Sequence, residues 1–499
     1  MTEYLKGKDA ALMIAGLSLA TFMQVLDSTI ANVALPAIAG HLGASVSQGI
    51  WVVTFFMVFN AASIPLTGFL SKRIGEVRLF LISVTLFIVA SLLCGLSTNL
   101  VMLIIARVFQ GLVSGPMIPL AQSLLLRNTP LERRSMAMGL FGIVIMIAPV
   151  LGPILGGYIS DNYYWGWIFF INVPIGLLSL ALCWIILKRH ETEKESVPVD
   201  YVGIVCMMLG VACFQLMLDR GREVDWFQSN EIIILAIISV VCFLYFLVWE
   251  IDQPYPLIKL SLLKDRNFSI GTFVLCASMT VYIGAIVLIP QVLESQYGYK
   301  AVTAGESIAV VGFFPFILTP IVGKLDKRVD MRIWVTISFL VFALCFYWRS
   351  NFNIDMTFWD VCMPQFVQGI AVAFYFMPVN NIIFSRIKPM DMAQASGLSN
   401  FLRTLFGGIG ASLSMTVWER REAVHHAHLT ESFHLFNSNS VDWMNHTAVT
   451  LGIPKEASLA VAQQMITQQG FIIGSNEIFY VCALVFLFLT GFVWLSKRI

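Results

Sequence analysis

Long apolar stretches separated by short polar ones cover almost the whole chain. A window of about 20 apolar residues is long enough to cross a hydrocarbon core of about 30 Å as a helix. Fourteen such windows predict fourteen transmembrane helices, which we number helix 1 to helix 14. Their predicted ranges are 10–34, 48–68, 79–97, 100–124, 136–159, 166–187, 201–218, 231–249, 268–290, 303–323, 333–348, 357–383, 393–418 and 475–495. The pattern predicts an all-α polytopic membrane protein.

Composition excludes a soluble globular chain. The sequence is 58% hydrophobic and 12% charged, and its mean hydropathy is +0.80. Helix 1 is too long for the apolar core of a signal peptide, so we expect it to stay attached. The 9 cysteines fall within predicted helices, which argues against a disulfide framework. A net charge of +1 without a clustered basic face gives no indication of nucleic-acid binding.

Loop charge orients the chain in the membrane. Lys and Arg concentrate in cytoplasmic loops, and most of the 31 Lys and Arg residues fall in inner loops when both termini are placed in the cytoplasm. The predicted outer segments hold Arg220, Arg222, Lys300, Arg349, Arg420, Arg421 and Lys455. Arg107 and Arg403 fall inside helices. A miscounted helix would invert this bias further along the chain, and no inversion occurs.

Two short internal repeats share one offset. Arg107-Val-Phe-Gln-Gly111 in helix 4 matches Gln365-Phe-Val-Gln-Gly369 in helix 12, and the loop Gly68–Arg78 matches the loop Gly323–Arg332. Both pairs are displaced by eight helices. The offset predicts two six-helix halves with helices 7 and 8 inserted between them, an architecture with which many secondary transporters achieve alternating access.

The predicted boundaries follow from this repeat. Residues 1–189 form the N-terminal six-helix bundle, and residues 190–265 hold the two inserted helices. Residues 266–499 form the C-terminal six-helix bundle, with a polar outer loop at about 419–474 between its last two helices. Residues 455–469 in that loop have a helical pattern.

Asp27 is the only Asp, Glu, Lys or Arg between Asp9 and Lys72. An ionised carboxylate at membrane depth costs at least about 2.5 to 3.5 kcal/mol, so an acid kept there usually faces a cavity or a partner. Asp27 is therefore our leading candidate for the proton-binding group of a transporter. The alternative is an acid that bonds only to its neighbours Ser28 or Thr29.

Arg107 is a permanent cation in an apolar helix and needs a carboxylate, backbone carbonyls or water nearby. If it lies near ionised Asp27, protonation of that acid would weaken the attraction and change the packing of helices 1 and 4. This would couple proton binding to conformation. The alternative is that Arg107 only ties helix 4 to the carbonyls of a neighbour. Gln110 could line the same polar cavity or bond between helices.

Small residues recur at every fourth position of helix 5. Ala148, Gly152 and Gly156 would let another helix approach closely, while Pro149 and Pro153 interrupt the backbone hydrogen bonds. We interpret this seam as a hinge or seal between the two halves. A packing seam with a kink is the alternative.

Four segments resemble the motifs of a known family: Leu26–Pro36, Leu103–Gly111, Gly152–Gly157 and Trp165–Gly176. Together they resemble those of the major facilitator superfamily, and specifically its fourteen-helix drug:proton antiporters. The resemblance covers essentially the whole chain. It implies the major facilitator fold and a secondary transporter, not an enzyme. Such a transporter exports amphipathic or hydrophobic toxic compounds, using the proton gradient and no cofactor.

The chain is most similar to the branch that supplies the inner-membrane subunits of tripartite efflux pumps. That likeness includes the His-rich stretch Arg420–Glu431. It implies a bacterial inner membrane, a periplasmic adaptor and an outer-membrane channel as partners. One residue departs from the family pattern, because Lys72 replaces the acid usually found after helix 2. The usual charge-relay gate therefore lacks its acid there, whereas the second-half loop keeps Asp326.

The remaining candidates fall into two groups. Cavity or substrate candidates are Gln24, Asn32, Gln110 and Glu294. Gating or hinge candidates are Gly68, Arg73, Gly75, Gly152, Pro153, Gly156, Gly157, Asp326 and Arg328. No metal site is expected, because the outer His cluster (His425, His426, His428, His434 and His446) has no cysteine partner and no standard zinc spacing. It could form a solvated loop or an adaptor contact.

Other functions have less support in the sequence. No nucleotide-binding Gly-x-x-x-x-Gly-Lys-Ser/Thr and no hydrolase motif occurs. A proton symporter for a metabolite could use the same scaffold, although the seam at Gly152 and Pro153 argues against it. A channel or a scaffold without turnover is disfavoured by repeated halves with a single buried acid.

Overall fold

The computed structural model describes residues 5, 7–130, 133–192, 194–195, 198–251, 253–254, 256–325, 329–433 and 437–498. All fourteen predicted windows fall on helices. By length and apolar composition, 12 helices of the described part can cross a membrane, or up to 13 when bent helix 5 counts as one span. Helix 13 is too polar to meet this criterion. The prediction of an all-α polytopic protein is confirmed, with one span fewer by composition than we predicted.

Several of the helices are broken into two segments. The bounds are Gly7–His41 for helix 1, Val46–Ser63 and Thr67–Ile74 for helix 2, Glu76–Gly95 for helix 3, Leu100–Ser114 and Met117–Asn128 for helix 4, Arg134–Asn162 for helix 5, Trp167–Phe170 and Asn172–Leu187 for helix 6, Tyr201–Gly221 for helix 7, Asn230–Ile251 for helix 8, Arg266–Gln296 for helix 9, Ala301–Ala309 and Phe313–Leu325 for helix 10, Met331–Arg349 for helix 11, Phe358–Ala373 and Phe376–Phe384 for helix 12, Met392–Ser432 for helix 13 and Lys455–Val493 for helix 14. A further helix, Ser438–Leu451, lies between the last two.

The helices of each half pack mainly on one another, and one hydrophobic core continues through both halves. Helix 1 lies against helices 2, 5 and 6, whereas helix 9 packs on helices 13 and 14. Helices 7 and 8 pack on each other, and helix 7 also contacts helices 2 and 13. Helix 4 begins at Leu100 because the side chain of Asn99 accepts a hydrogen bond from the backbone nitrogen of Met102 at 2.9 Å. This cap fixes the start of the helix that carries Arg107.

Polar side chains join the halves on the side that the loop charges predict to be cytoplasmic, which we call the inner side. Gln122 of helix 4 donates to Asn380 Oδ1 at 2.8 Å and accepts from Ser396 at 2.8 Å and Asn400 at 2.6 Å. We call these four residues the inner seal. Within the described part of the chain, every hydrogen bond between the halves lies on this side.

The outer side differs. Asn32 and Pro36, one turn apart on helix 1, are both exposed although the helix is buried at Asp27. The hydrogen bonds between the halves thus lie at their inner ends. On the outer side, Ala301–Ala309 of helix 10 still packs on helix 5, while the exposed face of helix 1 widens. The conformation is closed inward.

The predicted polar outer loop is largely helical. Helix 13 continues to Ser432 and helix 14 begins at Lys455, so the predicted helical pattern at 455–469 agrees with the structure. With 41 residues, helix 13 is about 61 Å long, roughly twice the hydrocarbon thickness. Helices 13 and 14 with Ser438–Leu451 therefore form an outer projection.

One arginine lies elsewhere than expected. Arg349, predicted in an outer segment, is the last residue of helix 11 and is only 1% exposed. Its guanidinium donates to Gln368 Oε1 and lies 5.1 Å from the ring centroid of Phe346. The sequence placed this residue in an outer segment beyond helix 11. It instead ends that helix, and its side chain turns back into the C-terminal half.

Candidate functional site

Asp27 and Arg107 form a buried ion pair. Arg107 Nη1 lies 2.5 Å from Asp27 Oδ2, and neither side chain has exposed surface. Arg107 follows Leu100 by seven residues, which places it about 10 Å below the outer end of helix 4. The pair that the sequence suggested is therefore formed, in the outer part of the N-terminal half.

Two amides complete the surroundings of the carboxylate. Asp27 Oδ1 accepts hydrogen bonds from Asn172 Nδ2 at 2.6 Å and from Gln110 Nε2 at 3.1 Å. Gln110 Oε1 in turn accepts from Arg107 at 2.7 Å, and both amides donate to Ser91 Oγ. Gln110 bonds between helices instead of lining an open cavity.

Arg107 has contacts besides the acid. Its Nε donates to the carbonyl oxygen of Val52 at 3.1 Å, and the guanidinium carbon lies 4.0 Å from the ring centroid of Phe56 and 5.4 Å from that of Phe169. Aromatic faces attract cations. Arg107 thus pairs with Asp27 and also ties helix 4 to a neighbouring carbonyl, so both alternatives describe part of its contacts.

The donors around Asp27 suit an ionised acid. Arg107, Gln110 and Asn172 all present N–H groups to its oxygens, and an ionised carboxylate is an acceptor only. The hydroxyls of Ser28 and Thr29 instead donate to backbone carbonyls one turn earlier. The alternative of a local cap on Asp27 therefore does not describe this structure.

An apolar cluster separates Asp27 from the outer solution. Its buried members include Ile30, Ala34 and Ile38 of helix 1, with Val52 and Leu103 from helices 2 and 4. Proton access from outside requires these helices to move apart. Every member of this polar network belongs to the N-terminal half, and none of them takes part in the inner seal.

Sequence reasoning missed two members of the network. Asn172 lies within the segment Trp165–Gly176 that carried the family resemblance, so a signal existed, but the residue had no assigned role. Ser91 had none, because a serine in an apolar helix most often bonds to its own backbone. Only the packing of helix 6 on helix 1, and of helix 3 on helices 4 and 6, reveals their contacts.

Other predicted cavity residues lie outside the network. Gln24 is buried, and its Oε1 has no hydrogen-bond partner among the described residues. Asn32 is exposed and donates to Ser28 O at 3.5 Å. Glu294 is exposed at the outer end of helix 9, far along the chain from the buried acid. The structure does not bring these three residues together.

The glycine seam of helix 5 faces helix 1. A Cβ on Gly152 would lie 2.1 Å from Thr29 Oγ1, and one on Gly156 would lie 2.6 Å from Ile30 O. Gly157 is less confined, with Val33 at 3.7 Å. These contacts lie within the N-terminal half, whereas Gly139 and Gly142 of the same helix face Thr319 and Phe376 of the other half. The role of the seam as a hinge or seal between the halves stays a prediction. Helix 5 bends by 42° between Pro149 and Ile154, across Pro153.

Gly68, in contrast, lies where the halves meet. A Cβ there would come within 2.6 Å of Gln394 Cγ on helix 13. Gly75 has a φ of 99° and contacts the carboxylate of Glu191, which accepts hydrogen bonds from the first backbone nitrogens of helix 3. Arg73 is exposed.

The loop after helix 2 contains Lys72 in place of the acid that is usual in the family. Lys72, which replaces the usual acid, lies 3.9 Å from the carboxylate of Glu195. Glu76 is buried next to Arg127 at 3.6 Å and accepts from Ser123 at 2.9 Å, so an acid is present four residues later. Asp326 and Arg328 lie outside the described residues.

The histidine-rich stretch belongs to the outer projection. His425 lies 3.1 Å from Glu477, which also pairs with Arg421 at 2.5 Å. Among the described residues, no group of three or more His, Cys, Asp or Glu side chains could hold a metal ion. His434 lies outside them. These contacts tie helices 13 and 14 together.

Comparison with known proteins identifies the family. The protein family described as the Major Facilitator Superfamily matches residues 17–411 of the chain. The chain belongs to the major facilitator superfamily. A human member of the same fold, the organic anion transporter MFSD10, superimposes with a TM-score of 0.57 at 12% identity, over 98% of this chain and 100% of that one. The predicted major facilitator fold is confirmed.

Much closer relatives are bacterial members of this superfamily. The chain is 52% identical to the multidrug export protein EmrB of Haemophilus influenzae, over 99% of this chain and 97% of the relative. It is 51% identical to EmrB of Escherichia coli K12, over 99% and 96%. It is 49% identical to the fatty acid resistance protein FarB of Neisseria gonorrhoeae, over 99% and 97%. With its candidate spans, the chain is a multi-pass protein of the bacterial inner membrane.

Proposed function

We propose that this superfamily member is a proton-coupled antiporter that exports amphipathic or hydrophobic toxic compounds from the cytoplasm or inner leaflet. The observation that carries the proposal is the buried pair of Asp27 and Arg107, in which every polar neighbour donates to the carboxylate. A titratable acid at this depth, beside a cation that cannot lose its proton, provides two states of different charge. The names of the relatives EmrB and FarB support export as the activity.

Proton binding would rearrange the partners of Asp27. A proton on Oδ2 removes the attraction to Arg107 and needs an acceptor of its own. Asn172 Oδ1 is buried and has no hydrogen-bond partner among the described residues, while its Nδ2 already donates to Asp27 Oδ1. Protonated Asp27 can therefore form a paired acid–amide contact with Asn172. Arg107 would keep Gln110 Oε1 and Val52 O as partners.

The seam of helix 5 can pass this change on. Thr29 and Ile30 lie one turn or less beyond Asp27 and contact Gly152 and Gly156 directly. A shift of helix 1 on release of Arg107 would therefore move helix 5, which bends by 42° next to these glycines. Proton and substrate would then compete through conformation, because the acid and its polar partners all lie within the N-terminal half.

The proton gradient supplies enough free energy for export. Moving one charge through 100 mV is worth about 2.3 kcal/mol. At about 1.4 kcal/mol per tenfold, one proton supports a roughly 45-fold ratio of a neutral substrate before any pH difference counts. The inward-closed conformation corresponds to the stage at which substrate leaves to the outside. The proton would enter from the same side when helices 1, 2 and 4 move apart.

We further propose that both termini are cytoplasmic and that the outer projection contacts a periplasmic adaptor, which an outer-membrane channel would extend. Support comes from the loop charges and from exposed apolar residues at the tip of the projection. Val449 and Leu451, at the end of helix Ser438–Leu451, are 84% and 55% exposed. Changing both to Asp should abolish copurification with the adaptor while leaving transport in vesicles intact.

Everted membrane vesicles with an imposed pH gradient test the central proposal. Asp27→Asn should abolish proton-driven uptake of a fluorescent amphipath into the vesicles, although the protein still inserts. Asp27→Glu, which keeps a titratable group, should retain part of it. Glu306→Gln removes an exposed acid of the other half and should behave as wild type. Normal proton-driven transport by Asp27→Asn would refute the proposal, and proton movement in the same direction as the substrate would indicate symport.

A further inference from the structure

Arg403 places a permanent positive charge near the middle of the membrane. It lies eleven residues after Met392, the start of helix 13, which corresponds to about 17 Å along the axis, or roughly half of the hydrocarbon thickness. Arginine does not lose its proton in proteins. A charge at this depth needs a partner or access to water.

The described residues give Arg403 no such partner. None of them forms an ion pair or a hydrogen bond with its guanidinium. The ionisable side chains close enough to influence it are Tyr375 and Cys276, and both are neutral at physiological pH. Arg107 has Asp27, and Arg349 has Gln368 and is almost fully enclosed. Arg403, in contrast, is partly exposed.

The position of Arg403 on helix 13 shows what it faces. Ser396, Asn400 and Arg403 are spaced by four and three residues, so they share one face of the helix. Ser396 and Asn400 both contact Gln122 of the N-terminal half and are buried. Arg403 is one turn further outward on that face, where burial ends. Further along the helix, Gly407 and Gly410 pack on Ile283 and Thr280 of helix 9. The partly exposed side chain of Arg403 therefore lies directly outward of the inner seal, next to helix 9.

We propose that Arg403 binds the anionic head group of an amphipathic substrate, a carboxylate or a sulfonate, directly outward of the inner seal. A guanidinium can donate two parallel hydrogen bonds to such a group. Phe406, one turn further outward, is 37% exposed and offers an apolar surface for the rest of the molecule. The assignment rests on the proposed export function for its role in transport, whereas binding itself requires no proton coupling.

This site would also favour exchange over leakage. To close its outer side when empty, the carrier must enclose an unpaired cation, which is unfavourable in a low-dielectric interior. A bound anion removes that obstacle. The charge of the substrate and the closure of the halves are thereby linked at one side chain.

Binding to the purified protein in nanodiscs of zwitterionic lipid tests the site. The probes are two dansyl compounds with the same alkyl linker, one ending in a sulfonate and one in a trimethylammonium group. In Arg403→Gln we expect the Kd of the sulfonate to rise by about tenfold or more, the effect of losing a charge-assisted hydrogen bond. Arg403→Lys should lose less, and the Kd of the ammonium probe should not rise in either variant. Equal weakening for both probes, or no change, would overturn the assignment.

The wild-type protein provides a readout that does not depend on a folded variant. It should bind the sulfonate about tenfold more tightly than the ammonium probe, and absence of this preference would also overturn the assignment. Vesicle transport separates the two proposals. Arg403→Gln should still export the ammonium probe when a proton gradient is imposed and should lose export of the sulfonate. Asp27→Asn tests proton coupling itself, because that variant should export neither probe.

Discussion

The amide nitrogen of Asn172 lies 2.6 Å from Oδ1 of Asp27, while the amide oxygen of Asn172 has no hydrogen-bond partner among the described residues. An ionised acid can use only the nitrogen, whereas a protonated acid can use both atoms. Asn172 can therefore contact Asp27 in either protonation state, and in different ways. This makes helix 6 part of the proposed switch.

Replacing Asn172 by Leu should favour the protonated acid. The variant loses a hydrogen bond to a charged group, worth about 1.5 to 3 kcal/mol, and one to the neutral acid, worth about 0.5 to 1.5 kcal/mol. The loss falls mainly on the ionised state, so the variant should release fewer protons than wild type when substrate is added. Proton release from the detergent-solubilised protein measures this difference. Equal proton release by the two proteins would show that Asn172 only packs.

Arg107→Gln should destabilise the protein by about 3 to 5 kcal/mol at neutral pH, because it leaves a buried carboxylate without its counter-charge. Adding Asp27→Asn to that variant should restore much of the loss, since no buried charge then remains. Thermal unfolding of the two single variants and the double variant measures the coupling. Additive losses would mean that the ion pair contributes nothing of its own to stability.

Gly156→Ala should block transport with little effect on membrane insertion. Its Cβ would lie 2.6 Å from Ile30 O, a backbone atom that cannot turn away, so helices 1 and 5 must separate. Gly157→Ala is the matched control, because the nearest atom to its Cβ is Val33 Cγ1 at 3.7 Å. Vesicle transport should distinguish the two variants. Similar activities would remove the seam from the mechanism.

Gln122→Leu should open the inner side. The substitution removes three hydrogen bonds across the inner seal, each worth about 0.5 to 1.5 kcal/mol. Spin labels at Arg73 and Arg386, two exposed inner positions in opposite halves, should report a larger population of long distances by electron–electron double resonance. Asn162→Leu, at the outer end of helix 5, serves as the control. An unchanged distance distribution would mean that apolar packing alone closes this side.

Asp330 contributes pH-dependent stability at the inner end of helix 11, where it pairs with Arg332 and Arg498. Hydrogen bonds from Arg332 lower the pKa of its carboxyl group, and the charge of Arg498 acts in the same direction. A lowered native pKa adds stability that is present above the unfolded pKa and is lost as pH falls through the native value. Asp330→Asn should therefore lower the Tm at pH 7, and the difference should vanish in acid. A constant difference would assign the effect to packing.

Residue chemistry predicted much of this molecule, because the constraints of a bilayer are severe. An isolated acid and an isolated cation in apolar helices must find partners, so Asp27 and Arg107 could be paired from sequence. The repeat likewise anticipated two halves. For the two charges, the free-energy cost of leaving either one unpaired in a bilayer requires a partner, whatever the arrangement of the helices.

Contacts set by the tertiary packing of the helices could not be predicted from residue chemistry alone. The glycines of helix 5 predicted a close approach, but their spacing does not identify helix 1 as the neighbour. Arg349 follows an apolar run, so the sequence placed it in a loop. That its side chain points inward depends on Gln368 of helix 12, whose position the sequence does not give. Asn172 needed the packing of helix 6 on helix 1 before it acquired a role.

Helix 13 runs without a break from the inner seal to the outer projection. The same rod carries Ser396 and Asn400 at one end and the Arg421 contact with Glu477 at the other. A rotation of about 10° about its inner end would displace the far tip by about 10 Å, given a length of about 61 Å. A partner bound to the tip of the outer projection could thus act on the inner seal at the other end of the helix. Holding the tip in place would restrict the carrier to one half of its cycle.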